Sequence, residues 1–118
     1  MERLGNAEIK VMSVLWREGD CTAKHISDVL SEEVGWNINT TYTLIKRCIQ
    51  KGAIERIEPK FVCHALIGKD EVAESETDDL IEKLYDGSAN KLFVALLGRK
   101  KLTADQIEEL KKIVGELE

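Results

Sequence analysis

The stretch from Asn37 to Gly52 constrains the fold more than any other. It reads Asn37-Ile38-Asn39-Thr40-Thr41-Tyr42-Thr43-Leu44-Ile45-Lys46-Arg47-Cys48-Ile49-Gln50-Lys51-Gly52, and helical spacing puts Leu44, Ile45, Cys48 and Ile49 on one edge. Asn39, Thr40, Thr43, Lys46, Arg47 and Gln50 share the opposite edge. No acid occurs from Val34 to Ile54, although the chain holds 22 Asp and Glu against 17 Lys and Arg. The apolar edge requires a core to pack on, while the acid-free edge offers side chains that donate to phosphates and read base edges in a major groove. The segment reads as a recognition helix.

Its neighbours supply the core. Asn6 is the expected N-cap of a first helix from Ala7 to about Glu18, with Ile9, Met12, Leu15 and Trp16 at helical spacing and Gly19-Asp20 as its stop. Thr22 caps a second helix from Ala23 to about Glu32, with Ile26, Val29 and Leu30 inward. Glu33-Val34-Gly35-Trp36 then turns into Asn37, the N-cap of the third helix, which stops at Gly52. Three such helices on short turns are the skeleton of a helix-turn-helix domain. Ala53–Ile57 and Phe61–Leu66 follow as short strand-favouring runs around Glu58-Pro59-Lys60, which holds the only proline. Helix-turn-helix followed by a hairpin is a winged helix, with Arg56 and Lys60 placed to reach a phosphate backbone.

Charge supports this only when the chain is divided. A formal net charge of -5 argues against nucleic acid. Residues 1–68, however, hold nine basic and nine acidic residues, and residues 69–118 hold eight and thirteen. The acid excess lies in the second part. Lys46, Arg47, Lys51, Arg56 and Lys60 cluster in the first, where the local field steers binding.

At 118 residues and 43% hydrophobic content the chain can bury one modest core and a smaller satellite. It lacks a run of about 18 apolar residues for a membrane span. Met1-Glu2-Arg3-Leu4 lacks a signal-peptide core, so a cytoplasmic location is expected. Cys21, Cys48 and Cys63 are odd in number and form no Cys-x-x-Cys pair, which fits reduced thiols.

The motifs together resemble a known family. Asn6-Ala7-Glu8, Val11-Met12, Leu15-Trp16, Trp36-Asn37, Thr40, Thr43-Leu44-Ile45, Arg47 and Lys51-Gly52 are similar to the BlaI/MecI penicillinase repressors, as are Ile81-x-x-Leu84-Tyr85-Asp86-Gly87 and Leu102-Thr103-x-x-Gln106-Ile107-Glu108-Glu109-Leu110. The chain departs from that pattern at Asn37-Ile38, where Ser-Pro is frequent, and at Tyr42, where a basic residue often stands. The resemblance implies a homodimeric transcriptional repressor on an inverted repeat of the TACA/TGTA type, upstream of a β-lactamase, antibiotic-resistance or stress operon. Thr40 and Thr43 would contact bases or phosphates, and Arg47 and the wing around Lys60 the backbone. The expected DNA-contacting set is Asn39, Thr40, Tyr42, Thr43, Lys46, Arg47, Arg56 and Lys60.

The expected architecture is mainly α with a small β-hairpin wing: a winged helix over residues 1–68 and a three-helix dimerisation domain over 69–118. In the latter, Lys69–Asp86 carries Val72, Ile81, Leu84 and Tyr85, and Ser88–Leu97 carries Leu92, Phe93, Leu96 and Leu97. Thr103-Ala104-Asp105-Gln106 is a capping box for a last helix striped with Ile107, Leu110, Ile113, Val114 and Leu117. Three short helices make too thin a core alone, so a second copy is expected to cover Ile81, Leu84, Tyr85, Leu92, Phe93, Leu96, Ile107, Leu110, Ile113, Val114 and Leu117. The resemblance further implies derepression by proteolysis within Phe93-Val94-Ala95-Leu96, most nearly at Ala95-Leu96, through a regulatory protease or membrane sensor pathway.

Other classes are weaker. Residues after Cys63 contain no cysteine, which removes the Cys-x-Cys pairs of the related copper-responsive repressors. A metal- or redox-responsive repressor built on Cys21, His25, Cys48, Cys63 and His64 is a further alternative, weakened because alternation puts Cys63 and His64 on opposite sides of a strand. No metal ligands, cofactor or catalytic residues are expected: there is no Gly-rich phosphate loop, Gly-x-Ser-x-Gly or His-Glu-x-x-His. The rival is a winged-helix protein-interaction module, and salt dependence separates the two.

Overall fold

The computed structural model describes residues 3–99 and 102–117, with only the backbone described at Leu117. Among the described residues, six helices and three short strands run in the order α1 (Asn6–Glu18), β1 (Cys21–Thr22), α2 (Ala23–Val34), α3 (Ile38–Gln50), β2 (Ile54–Ile57), β3 (Val62–Ala65), α4 (Lys69–Leu84), α5 (Ala89–Gly98) and α6 (Ala104–Leu117). The chain divides into two compact units, Met1–Ala73 and Glu74–Glu118. No helix among the described residues is long and apolar enough to cross a membrane.

Capping side chains decide where most helices begin. Thr22 Oγ1 accepts from His25 N at 3.1 Å, Asn37 Oδ1 from Thr40 N at 2.8 Å, and Ser88 Oγ from Lys91 N at 3.2 Å. At α6 the capping box is reciprocal, with Thr103 Oγ1 accepting from Gln106 N at 3.1 Å and Gln106 Oε1 from Thr103 N at 2.9 Å. The first helix differs from expectation by one residue. Gly5 is its cap and Asn6 its first residue, because Glu8 reaches back to accept from Gly5 N at 2.7 Å. Helix α2 runs two residues beyond Glu32, to Val34, and stops at Gly35, whose φ of 74° and ψ of 19° give the left-handed conformation that glycine adopts without a Cβ clash.

The hairpin is part of a three-stranded antiparallel sheet in the order β1-β3-β2. Arg56 pairs with Cys63 and Ile57 with Val62, while Cys21 and Thr22 pair with Cys63 and Val62 on the other side. Strand β1 was not expected. Two residues carry no readable alternation, and they become a strand because β3 offers them an open edge.

In the first unit Val11, Met12, Val14 and Leu15 of α1 meet Ile26 and Leu30 of α2 and Leu44, Ile45 and Cys48 of α3, with Ala53, Ile54 and Cys63 closing the sheet side. Trp16 packs against this core and its indole Nε1 donates to Ile67 O at 2.9 Å. Trp36 is half-buried against the same core.

One polar contact crosses the core boundary. Glu8, 5% exposed, accepts from Lys51 Nζ at 2.6 Å, and the same ammonium donates to Arg3 O at 2.9 Å. Lys51 therefore leaves the basic cluster expected from sequence and ties the end of α3 to the start of α1. Burial pushes the Glu8 carboxyl up, but hydrogen bonds from Lys51 and Gly5 and the charges of Lys51 and Arg47 outweigh it, leaving Glu8 below its ordinary 4.5. A depressed carboxylate stabilises the fold above its ordinary pKa and loses that contribution as pH falls through the folded value. Glu8→Gln is expected to cost about 2–3 kcal/mol at neutral pH. In urea titrations at stepwise lower pH, the variant should lose less stability below about pH 4.5 than the parent.

Candidate nucleic-acid interface

Helix α3 is anchored by its apolar edge. Thr41, Leu44, Ile45 and Cys48 are buried, while Asn39, Thr40, Thr43, Lys46, Arg47 and Gln50 are exposed. Asn39, Thr40, Thr43 and Arg47 line a single shallow hollow together with Asn37 and Leu44. The Asn37 cap uses one of the first-turn N–H groups and leaves the positive end of the helix beside this hollow. Thr43 Oγ1 donates to Asn39 O at 2.9 Å, so its proton is engaged, while the side chain remains exposed. Such a side chain can accept from a base amino group through its hydroxyl or offer its methyl to thymine.

The cations differ in how far they are committed. Lys46, Arg47 and Lys60 make no ion pair among the described residues, whereas Arg56 is paired with Glu58. The Arg56 guanidinium also lies over the Phe61 ring, 3.6 Å from its centroid. Phe61 meets Tyr42 edge-on, with centroids 5.9 Å apart and planes at 84°. Tyr42 is thus half-buried on the flank of α3 towards the wing, apart from the hollow. The wing turn is shaped around that ring: Phe61 has a φ of 51°, uncommon for an aromatic residue, and its carbonyl accepts from Ala23 N at 3.0 Å.

The Arg56–Glu58 pair was not read from the sequence. Strand alternation could not have found it, because Arg56 lies on β2 and Glu58 on the turn that follows. Thr41, fully buried, belongs to the core edge of the Thr run.

Cys21 and Cys63 are cross-strand partners, and Cys48 points its Sγ at Glu8 O, 3.8 Å away. Burial, with the Glu8 charge behind it, pushes the Cys48 thiol up to about 12, and burial with Cys21 pushes Cys63 up to about 11. Burial and the charges of Glu18 and Asp20 raise Cys21 as well. The thiols are held protonated, unlike the thiolates that bind metals or react. His64 Nδ1 pairs with Asp20 Oδ1 at 2.8 Å and His25 Nε2 with Glu18 Oε1 at 2.7 Å. No group of three or more His, Cys, Asp or Glu among the described residues could hold a metal ion.

The second unit has a different character. None of its described residues is buried. Leu84, Phe93, Leu96, Ile113 and Val114 are exposed, and Ile81, Tyr85, Leu92, Ile107 and Leu110 are half-buried. Phe93 and Leu97 of α5 form an apolar groove with Ile107, Leu110, Lys111 and Val114 of α6. Ala95 and Leu96 lie within α5, half-buried and exposed respectively. The Leu117 side chain lies outside the described residues.

Comparison with known proteins follows the same lines. The penicillinase repressor family profile matches residues 4–116. The methicillin resistance regulatory protein MecI of Staphylococcus aureus strain N315 is 28% identical over 114 residues, covering 95% of this chain and 93% of MecI. The penicillinase repressor of Bacillus licheniformis is 26% identical over 116 residues, covering 97% and 91%. The solution structure of the DNA-binding domain of the repressor BlaI aligns with a TM-score of 0.54 at 27% identity, over 58% of this chain and 85% of that one. The chain belongs to the penicillinase repressor family of DNA-binding, winged-helix transcriptional repressors, which are not enzymes.

Proposed function

We propose that this repressor acts as a homodimer on an inverted repeat of the TACA/TGTA type, with α3 in the major groove and the wing on the flanking backbone. The observation that carries the reading is the hollow of Asn39, Thr40, Thr43 and Arg47 on an acid-free helix face, with Lys46 exposed beside it. In the proposal, Asn39, Thr40 and Thr43 read base edges, Lys46 and Arg47 neutralise phosphates, and Lys60 adds a wing contact, which Arg56 can join only where its pair with Glu58 opens. Tyr42 contributes through Phe61, by fixing the wing against α3.

The homodimer is supported by the apolar helices of Glu74–Glu118, which have no buried residue of their own among those described. A second copy covering Leu84, Leu96, Ile113 and Val114 would complete a core that three short helices cannot make alone. The twofold axis would present two recognition helices to two half-sites, which is why a palindrome is expected. Control of a resistance or stress operon, with release by a cut at Ala95-Leu96 through a regulatory protease or membrane sensor pathway, is the finer part of the proposal. Such a cut needs local opening of α5, because that bond lies inside the helix.

The test is a gel-shift titration with a TACA/TGTA inverted-repeat duplex and a scrambled duplex, each across a salt series. Tight binding to the repeat and weak, steeply salt-dependent binding to the scramble is the expected result. Equal weak binding to both would remove the operator reading. No binding to either at low salt would return the winged helix to a protein-interaction role.

A further inference from the structure

The wing carries an anion site that is already filled. Arg56 on β2 presents its guanidinium over the Phe61 ring, and Glu58, two residues along, occupies its Nε edge. The ring is itself fixed: its backbone holds Ala23 N, and its edge meets Tyr42 on α3. Arg56 is therefore not a free surface cation. It is a planar donor mounted on an aromatic platform next to the recognition helix, with a carboxylate where a phosphate oxygen would sit. Both partners remain accessible, with side-chain exposures of 44% and 57%, so DNA could compete for the guanidinium.

We propose that Glu58 is an intramolecular stand-in for a DNA phosphate: it occupies the Arg56 site and holds the affinity of this repressor below what its wing could deliver. The proposal rests on the DNA-binding reading and deepens it. While Glu58 holds Arg56, the pair is neutral and Arg56 condenses no phosphate. Once Glu58 is neutral, the stacked guanidinium turns its free N–H edge to the backbone as a charge-assisted donor, which adds one phosphate to those neutralised. Lys60, on the same turn and without an ion pair among the described residues, is free to make its contact in either case.

The experiment measures the affinity of the full chain for a scrambled duplex across a salt series, so that it does not depend on knowing the operator. Glu58→Gln is expected to bind about three- to ten-fold more tightly at low salt and to steepen the plot of log affinity against log salt by about one unit. The double variant Glu58→Gln with Arg56→Gln should return to the parental slope. Glu55→Gln removes the same charge from a neighbouring position that has no ion pair among the described residues, and should leave the slope unchanged. The proposal is overturned if Glu58→Gln leaves affinity and slope as they were. It is equally overturned if the gain persists in the double variant or is matched by Glu55→Gln, since either result would mean general repulsion. If the parent binds no duplex at low salt, the DNA reading itself fails, and that outcome is distinct from the others.

Discussion

Leu96→Asp is expected to convert a dimer into monomers and to lower operator affinity about 100- to 10,000-fold. Leu96 is 43% exposed in the single chain, so the substitution takes less packing from the unit that carries it than a core substitution would. Its effect should fall on the association. An Asp at a twofold interface brings two like charges into a desolvated apolar contact, in a half of the chain that already holds thirteen acids against eight basic residues. Two linked arms bind as one because the second binds at the effective concentration set by the linkage; separated arms bind independently. Sedimentation equilibrium should show the mass halved, and the gel shift should become shallow and salt-sensitive. Ile113→Asp, at 46% exposure on α6, should behave in the same way. A variant that stays dimeric would move the interface to other residues. A monomer that keeps full operator affinity would mean that each half-site is bound alone.

The elements of the fold and the contacts within it were legible in the sequence to different degrees, and the reason is the range of the interactions involved. Helix starts at Thr22, Asn37, Ser88 and Thr103 depend on a side chain and a backbone group three residues apart, so a local pattern reveals them. The apolar edge of α3 follows from a 3.6-residue period, and burial of Leu44, Ile45 and Cys48 agrees with it. Glu8 and Lys51 lie 43 residues apart, and Trp16 and Ile67 lie 51 apart. No periodicity connects such pairs. Counting Lys51 with the DNA-facing cations therefore credited the surface with a charge that the fold uses. Arg56 stands between the two cases: its partner is only two residues away, but Phe61 had to take a left-handed φ before its ring could hold the guanidinium. Strand β1 shows the same limit, since Cys21 and Thr22 are extended only because Cys63 and Val62 are beside them.

Lys46→Ala and Arg47→Ala are expected to weaken DNA binding by about 10- to 100-fold each, through loss of charge-assisted contacts to phosphate. Both side chains are exposed on α3 and make no ion pair among the described residues, so the thermal midpoint should hardly move. Each loss should also make the salt dependence shallower by about one unit, and the double variant by about two, on operator and scrambled duplex alike. Thr43→Ala is the informative contrast. It deletes an exposed hydroxyl, whose proton is held by Asn39 O, and a methyl, so no charge is lost. Its expected effect is a loss of about 1–3 kcal/mol confined to the operator, with binding to the scramble and the salt slope unchanged. If Thr43→Ala lowered both duplexes equally, Thr43 would belong with the backbone contacts and recognition would pass to Asn39 and Thr40. If Lys46→Ala and Arg47→Ala left the slope unchanged, the acid-free face of α3 would not be the surface that meets DNA, however well its hollow is formed.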